Sequence, residues 1–496
     1  MTPPGPGMRR WRAALAAAAL VPAGAATTAA AQTAPDAPAP AAVTSRVSVA
    51  SGGAQARGGG PSVIESLATS GDGSVVAFVS NATNLVPGDA NGVFDVFTYE
   101  VASGRTTRIN VAADGSEATA PSQDVAISAD GNVVAFVSAS ANLVPGDTNG
   151  QKDVFVRDRQ AGTISRISQA TGGAQAQAAS GQPVLSSDGR WVAFSSPAGE
   201  LAGGDLNGVS DVFLHDRVGA ITTRVSVDSA GGDPDGPSVA PDLSADGTVV
   251  AFESRATDLL QGGADGNNLA DVFVAASGVI TRVNVGAPVP QGGDSGAPSL
   301  SADGRYVAYT SAATNIAPPD PQPGTDVFLY DRTAGTTRRV SMAGASGAPD
   351  GPSHSADVLA AGTHVLVAFA SEATNLVTGD GNEAPDAFVR DVSTDTTTRE
   401  SLDAAGGEAD GASAAPQLAA DGGLVTFVSN APNLTVTPAA SGTADVYRRD
   451  RVSGALERVS GPNGGGVADG AEGSFSPALS AGGNLVAFSS QSPDLV

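Results

Sequence analysis

The chain has 496 residues, 41% of them hydrophobic and 4% aromatic, so it can pack a core and is long enough for two or three ordinary domains. It contains no cysteine, which excludes a disulfide framework, a thiolate metal site and a lipid-modified cysteine anchor. With 51 acidic against 26 basic side chains the net charge is -25, which disfavours nucleic acid as a partner and suits solubility, cations or basic surfaces.

Residues 1–12 carry Arg9, Arg10 and Arg12, residues 13–26 form a short apolar run, and Ala29-Ala30-Ala31 before Gln32 makes a small-residue cleavage site. This order predicts a secretory signal peptide over 1–31, and an ordinary basic leader accounts for Arg9-Arg10 more simply than twin-arginine export. Removing three arginines leaves 23 basic against 51 acidic residues, a net charge of -28. No later apolar run reaches the about 18 residues that a membrane span requires. Residues 32–44 are rich in Ala and Pro and predict a linker.

From residue 45 onward the chain repeats, and repetition overrides length as a guide to domain count. The glycine of an Asp-Gly turn, or its counterpart, recurs at Gly73, Gly131, Gly189, Gly247, Gly304, Gly362, Gly422 and Gly483, with spacings of 58, 58, 58, 57, 58, 60 and 61. In one unit Val125-Ala126-Ile127 precedes Ser128-Ala129-Asp130-Gly131. Val133-Val134-Ala135-Phe136-Val137, Asp153-Val154-Phe155-Val156 and Ile164-Ser165-Arg166-Ile167 follow. Each run is short, β-branched or aromatic, and bounded by turn residues, and Asp-Gly between two such runs marks a tight hairpin. Four strands per unit predict an all-β fold, a β-propeller of four-stranded blades over 45–496.

The aromatics fall in the same register. Phe78, Phe136, Phe194, Phe252, Tyr309, Phe369, Phe427 and Phe488 take the second-strand position; Phe97, Phe155, Phe213, Phe273, Phe328, Phe388 and Tyr447 take the third. Thirteen of the 15 Phe therefore sit at two repeat positions, which predicts packing between blades rather than stacking on a cofactor. The Arg-Val-Ser type of fourth strand occurs eight times, from Arg46-Val47-Ser48 to Arg458-Val459-Ser460, and the Asp-Val-Phe type of third strand seven times. The expected count is eight blades with the last incomplete, seven being the alternative. If residues 46–49 pair beside the final strands they close the ring; seven blades with loose terminal strands, or a chain cut short at its C-terminus, are the alternatives.

Ser186-Ser187-Asp188-Gly189-Arg190-Trp191-Val192-Ala193-Phe194-Ser195-Ser196, followed by Asp211-Val212-Phe213-Leu214-His215-Asp216, resembles the WD-like propeller repeat of the TolB family, and 301–311 matches nearly as well. The resemblance covers roughly residues 45 to 496. It implies the propeller fold and relatives that include protein-binding envelope proteins and the propeller domains of some peptidases. This chain has Ala or Ser where the family often has Pro before the Asp-Gly turn, and its second-to-third-strand connection is longer.

Two connections in each unit are long, as in 138–152 and 168–183, and in an up-and-down blade they share one face, the expected recognition surface. The first carries Asp-Xaa-Asn-Gly-Xaa-Xaa-Asp as Asp89, Asn91 and Asp95; Asp147, Asn149 and Asp153; and Asp205, Asn207 and Asp211. Looser forms are Asp265, Asn267 and Asp271, then Asp380, Asn382 and Asp386, while Asp320-Pro321-Gln322 and Ser441-Gly442 lose the pattern. Alternating hard oxygens around a Gly turn suit calcium, although the dense ligands and terminal Glu of an EF-hand loop are missing. The structural alternative is an Asn-Gly turn with the last Asp bonding backbone amides.

Gly293-Asp294-Ser295-Gly296-Ala297-Pro298 looks like the nucleophile segment of trypsin-like serine proteases, but Gly232-Asp233-Pro234-Asp235-Gly236-Pro237 holds the same repeat position. His215, His354 and His364 fall in three different units, which argues against a triad. No Gly-Xaa-Ser-Xaa-Gly elbow, phosphate loop or His-Glu-Xaa-Xaa-His motif occurs. The expectation is an exported, noncatalytic interaction scaffold, not an enzyme, with no assigned catalytic, cofactor or metal residues, binding an envelope protein, peptide or glycan through its acidic long-loop face. The alternatives are a calcium-binding repeat protein, or a lyase or hydrolase of the central channel using carboxylates such as Asp124, Asp242 and Asp357.

Overall fold

The computed structural model describes residues 43–57, 66–261, 265–285, 292–316, 324–344, 347–435, 442–462, 473–492 and 495. The leader, most of the linker, Asp320-Pro321-Gln322 and Ser441 lie outside the described residues.

A typical unit is blade 2, with strands Ser122–Ile127, Val133–Ser138, Asp153–Asp158 and Thr163–Arg166. Its second strand, Val-Val-Ala-Phe-Val-Ser, is buried at every position. Alternation is lost because a blade is covered by a neighbour on each side, so both strand faces favour apolar residues. The turn before it is made by its own side chains: Ser128 Oγ donates to Asp130 Oδ1 at 2.6 Å, and the amides of Asn132 and Val133 donate to Asp130 Oδ1 and Ser128 Oγ at 2.9 Å. Gly131, at φ 71°, supplies the left-handed residue that this hairpin needs.

Seven such sheets, each of four antiparallel strands in sequential order, span 67–108, 122–166, 181–224, 238–282, 295–339, 353–399 and 413–458. Strands Ser474–Leu479 and Val486–Ser490 form a two-stranded eighth sheet. Among the described residues, seven blades are complete and the eighth copy contributes two strands.

First strands of adjacent blades touch around the ring, which puts them at its centre. A chain of backbone hydrogen bonds joins the tight turns: Gly71 N to Ala129 O, Ala129 N to Ser187 O, Ser187 N to Ala245 O and Ala245 N to Ala302 O. It resumes at Ala420 N to Ala481 O and closes with Ala481 N to Gly71 O at 3.0 Å. The eighth sheet is thus a member of the ring. The condition that 46–49 pair with the last strands is not met among the described residues, where the β-bridge of this segment is Val49 to Gln55, within the same loop. Side-chain packing and the turn hydrogen bonds close the ring instead.

The core lies between blades. Each complete blade stacks its second- and third-strand rings, as in Phe136 on Phe155 and Phe427 on Tyr447, with centroids 5.6–5.8 Å apart. Burying each ring contributes about 2–3 kcal/mol, so the two repeat positions carry much of the fold.

Candidate functional site

On the long-loop face the third strand of every complete blade begins with a buried Asp, and the fourth strand ends with an Arg whose side chain returns to it. Arg224 Nη1 lies 3.3 Å from Asp211, 3.7 Å from Asp205 and 2.8 Å from Asp233 of the next loop. Arg399 Nη1 meets Asp380 and Asp386 at 3.2 Å and Glu408 at 3.0 Å. Arg108 holds Asp89, Asp95 and Glu117 at 3.4, 3.7 and 2.9 Å. Arg166 and Arg282 each hold two Asp, while Arg339 and Arg458 hold Asp326 and Asp445.

The rest of the cluster is neutral. Asp153 accepts a hydrogen bond from Ser168 Oγ, which itself accepts the amide of Val154 at 3.1 Å. Asn110 plays this part in blade 1, donating to Asp95 Oδ1 at 2.5 Å and to Ser122 Oγ at 2.9 Å. Asn149 Nδ2 donates to Asp153 at 2.9 Å and to Ala176 O at 2.7 Å, and its Oδ1 accepts the Gln151 amide. The Asn-Gly element is therefore a turn that also ties two long loops together, as the structural alternative expected. The last Asp differs from that expectation, because its partners are an arginine and a Ser or Asn side chain.

Two buried carboxylates around one guanidinium leave an excess of negative charge in a poorly hydrated place. Burial above all pushes Asp89, Asp211 and Asp380 up to about 6 and Asp271 to about 7, with neighbouring carboxylates adding to the rise. Asp205, Asp211 and Asp233, and likewise Asp380, Asp386 and Glu408, bring one oxygen each within 4.8 Å of one another, a spacing a metal could use. In both clusters an arginine nitrogen lies within 3.7 Å of every one of those side chains.

The other candidates are dispersed. Asp124, Asp242 and Asp357 stand on the first strands of blades 2, 4 and 6. Asp242 and Asp357 accept the amides of Leu300 and Leu418 in the next blade at 2.6 and 3.0 Å, so both staple adjacent inner strands. Ser295 is buried and bonded to Ser311 Oγ and Asn284 Nδ2, one rung of a Ser-Ser pair that recurs in six other sheets. His215 bonds Thr222, His354 bonds Ser355 and His364 bonds Asp391, and the structure brings none of them to Ser295. The arginines were visible in the sequence only as markers of the fourth strand. The signal of their role is an offset: Arg follows the third-strand Asp by 13 residues in blades 3 and 6 and by 11 in blade 4.

The class is an all-β propeller of seven four-stranded blades and a small eighth sheet. Neither a family model nor a curated protein matches the chain. Among solved structures it is similar to a prolyl endopeptidase, at 14% identity over 80% of this chain and 49% of that one, with a TM-score of 0.46. It is similar to the TolB of Agrobacterium tumefaciens, at 18% identity over 56% and 81%, with a TM-score of 0.33. An oligogalacturonate lyase in complex with manganese is similar at 12% identity over 73% and 84%, with a TM-score of 0.42. The chain spans about half the length of the prolyl endopeptidase. TolB proteins and other propellers are thus among the similar structures, and the likeness is one of fold. The expectation that the chain is not an enzyme is corrected by the same comparison: peptidases and a lyase stand among the similar structures, so this fold gives no ground for ruling catalysis out.

Proposed function

We propose that the chain is an exported recognition scaffold whose long-loop face binds a protein, peptide or glycan of the cell envelope. The observation that carries this is a division among the carboxylates of that face. Those at the strand ends are buried and matched by arginine. On the connections from one blade to the next, Glu117, Asp233 and Glu408 also meet an arginine, whereas Asp114, Asp235, Asp350 and Asp410 are exposed and meet no Arg or Lys among the described residues. Hydrogen bonds from Ser116 hold Asp114 below the ordinary carboxylate range. At Asp235 burial pulls upward, but bonds from Thr257 outweigh it. All four are set on loops fixed by a rigid ring, the arrangement in which binding groups commonly sit. No helix among the described residues is long and apolar enough to cross a membrane.

The test compares two variants for retention of envelope fractions on the immobilised chain. One carries Asp114, Asp235, Asp350 and Asp410 changed to Asn; the other carries the same change at Asp72, Asp130, Asp246 and Asp421 of the opposite, tight-turn face. The loop-face variant should lose retention and the turn-face variant should keep it. Equal behaviour of the two would remove the support for this reading.

A further inference from the structure

On the tight-turn face, arginines that follow the third strands stitch neighbouring blades together. Arg159 Nη1 donates at 2.7 Å to Gly131 O, the turn glycine of its own blade. Its Nη2 donates at 2.7 Å to Glu100 Oε1, the last residue of the preceding blade's third strand. Arg217 repeats both contacts one blade on, with Gly189 O at 2.7 Å and Asp158 Oδ2 at 3.4 Å. Arg451 donates to Gly422 O at 2.9 Å and finds a carboxylate at Glu400, 3.0 Å away.

Arg332 of blade 5 takes the same pose, with Nη1 donating to Gly304 O, but the carboxylate is missing. The residue that ends the preceding blade's third strand is Ala276, which packs at the seam against the cluster of Val249 and Tyr330. Arg332 meets no carboxylate among the described residues. The hairpin beside it is short as well. Six complete blades join their third and fourth strands through four or five residues, as in 159–162 and 451–455, whereas blade 4 turns on Ser277-Gly278 alone. Their φ of 51° and 76° fit the two-residue turn that needs both central residues left-handed. One seam therefore has a notch in its tight-turn face. A half-buried guanidinium stands on one side of it, and Val279, the cross-strand partner of Ala276, is 64% exposed on the other.

We propose that this notch takes the carboxylate of an Asp or Glu on a partner protein, set beside an apolar side chain that covers Val279. The incoming carboxylate occupies the place that Glu100 and Asp158 hold at their seams, where a charge-assisted hydrogen bond is about twice as strong as a neutral one. The net charge of -25 opposes an acidic partner at long range. At physiological salt, charges farther than about 8 Å are screened, so the pair acts at contact and fixes the register of docking rather than the rate of encounter. This face lies opposite the loop carboxylates, so either proposal can fail without the other.

The probes are acetyl-Leu-Asp-Leu-amide and acetyl-Leu-Asn-Leu-amide, titrated into the full chain while the amides of Ser277 and Gly278 and the Arg332 Nε–H are followed by NMR. Saturable shifts at about millimolar Asp peptide are expected. Binding should weaken about tenfold or more for the Asn peptide, for Arg332→Gln and for Ala276→Asp. Arg332→Gln keeps an amide donor for Gly304 O. Ala276→Asp leaves Arg332 in place and fills the notch from within, so it should raise the melting temperature while blocking the peptide. No shift at about 10 mM peptide, equal binding of the Asp and Asn peptides, or binding that survives Ala276→Asp would each overturn the proposal. So would a lower melting temperature for Ala276→Asp, since the added carboxylate would then have found no cation to meet.

Discussion

Arg224 and Asp211 are 13 residues apart in the chain, yet Nη1 and Oδ2 lie 3.3 Å apart with both side chains almost wholly withdrawn from water. Asp205 leans on the same cation at 3.7 Å. Removing one partner of a buried ion pair leaves a charge that nothing compensates, so Arg224→Met is expected to cost about 3–5 kcal/mol in chemical denaturation. Arg255→Ala is the comparison, because Arg255 and Asp294 pair at 3.3 Å while both are about half exposed. Its expected cost is about 0–1 kcal/mol. Equal costs would mean that the buried cluster does not hold the blade.

Calcium follows from the same geometry. In the native chain the guanidinium of Arg224 already sits among Asp205, Asp211 and Asp233, so the ion would have to displace a fixed cation. Calcium at the roughly millimolar concentrations that fill weak extracellular sites is expected to leave the melting temperature unchanged. In Arg224→Met the three carboxylates are freed within 4.8 Å of one another, and calcium should raise the melting temperature of that variant. Stabilisation of the parent by calcium, with none in the variant, would contradict this order of events.

The fold was legible because its constraints are local and repeated. Gly131 and Phe136 report a turn and a core position within one short window, and recurrence in eight units fixed their register. The arginine clusters were less legible, since Arg224 meets partners 13 residues behind and 9 residues ahead of it and forms no contiguous motif. Closure by Ala481 and Gly71 was hidden for another reason: backbone bonds between turns leave no mark in side-chain pattern. The first strands also held an irregularity that residue type conceals. Asp124, Gln182, Ala240, Ala297, Ser355, Ala415 and Ser476 all have φ between 50° and 62° beside a register shift, where glycine or asparagine is the usual occupant.

Stability should rise on mild acidification. Asp89, Asp211, Asp380 and Asp271 have folded values of about 6 to 7 against 3.8 for the free side chain, so between about pH 4 and 7 the folded chain holds more protons than the unfolded one. Their contribution is greatest at the acid end of that window and is lost as the pH rises through 6 to 7. His215 opposes them, since burial lowers its value and its unfolded form charges first, but it is one group against four. The melting temperature should be higher near pH 5 than near pH 8, and Asp89→Asn with Asp380→Asn should flatten the profile. A profile that climbs from pH 5 to 8 would reverse the sign argued here.

The turn glycines allow conformation and close approach to be separated. Gly189 and Gly162 share the same φ of 68°, so alanine meets the same left-handed penalty of about 1 kcal/mol at both. At Gly162 an added Cβ meets no atom within 4 Å, and that penalty should be the whole cost. At Gly189 it would lie 2.6 Å from Cβ and 2.7 Å from Cγ2 of Val133, the first residue of the preceding blade's second strand. Overpacking adds about 1–3 kcal/mol, so Gly189→Ala should be the more destabilising by that amount. Shrinking the neighbour tests the cause: Val133→Ala should be costly alone yet recover part of the loss in the double variant, because the two changes share one contact. Strict additivity would mean that the glycine is needed for its backbone conformation and not for the fit between blades.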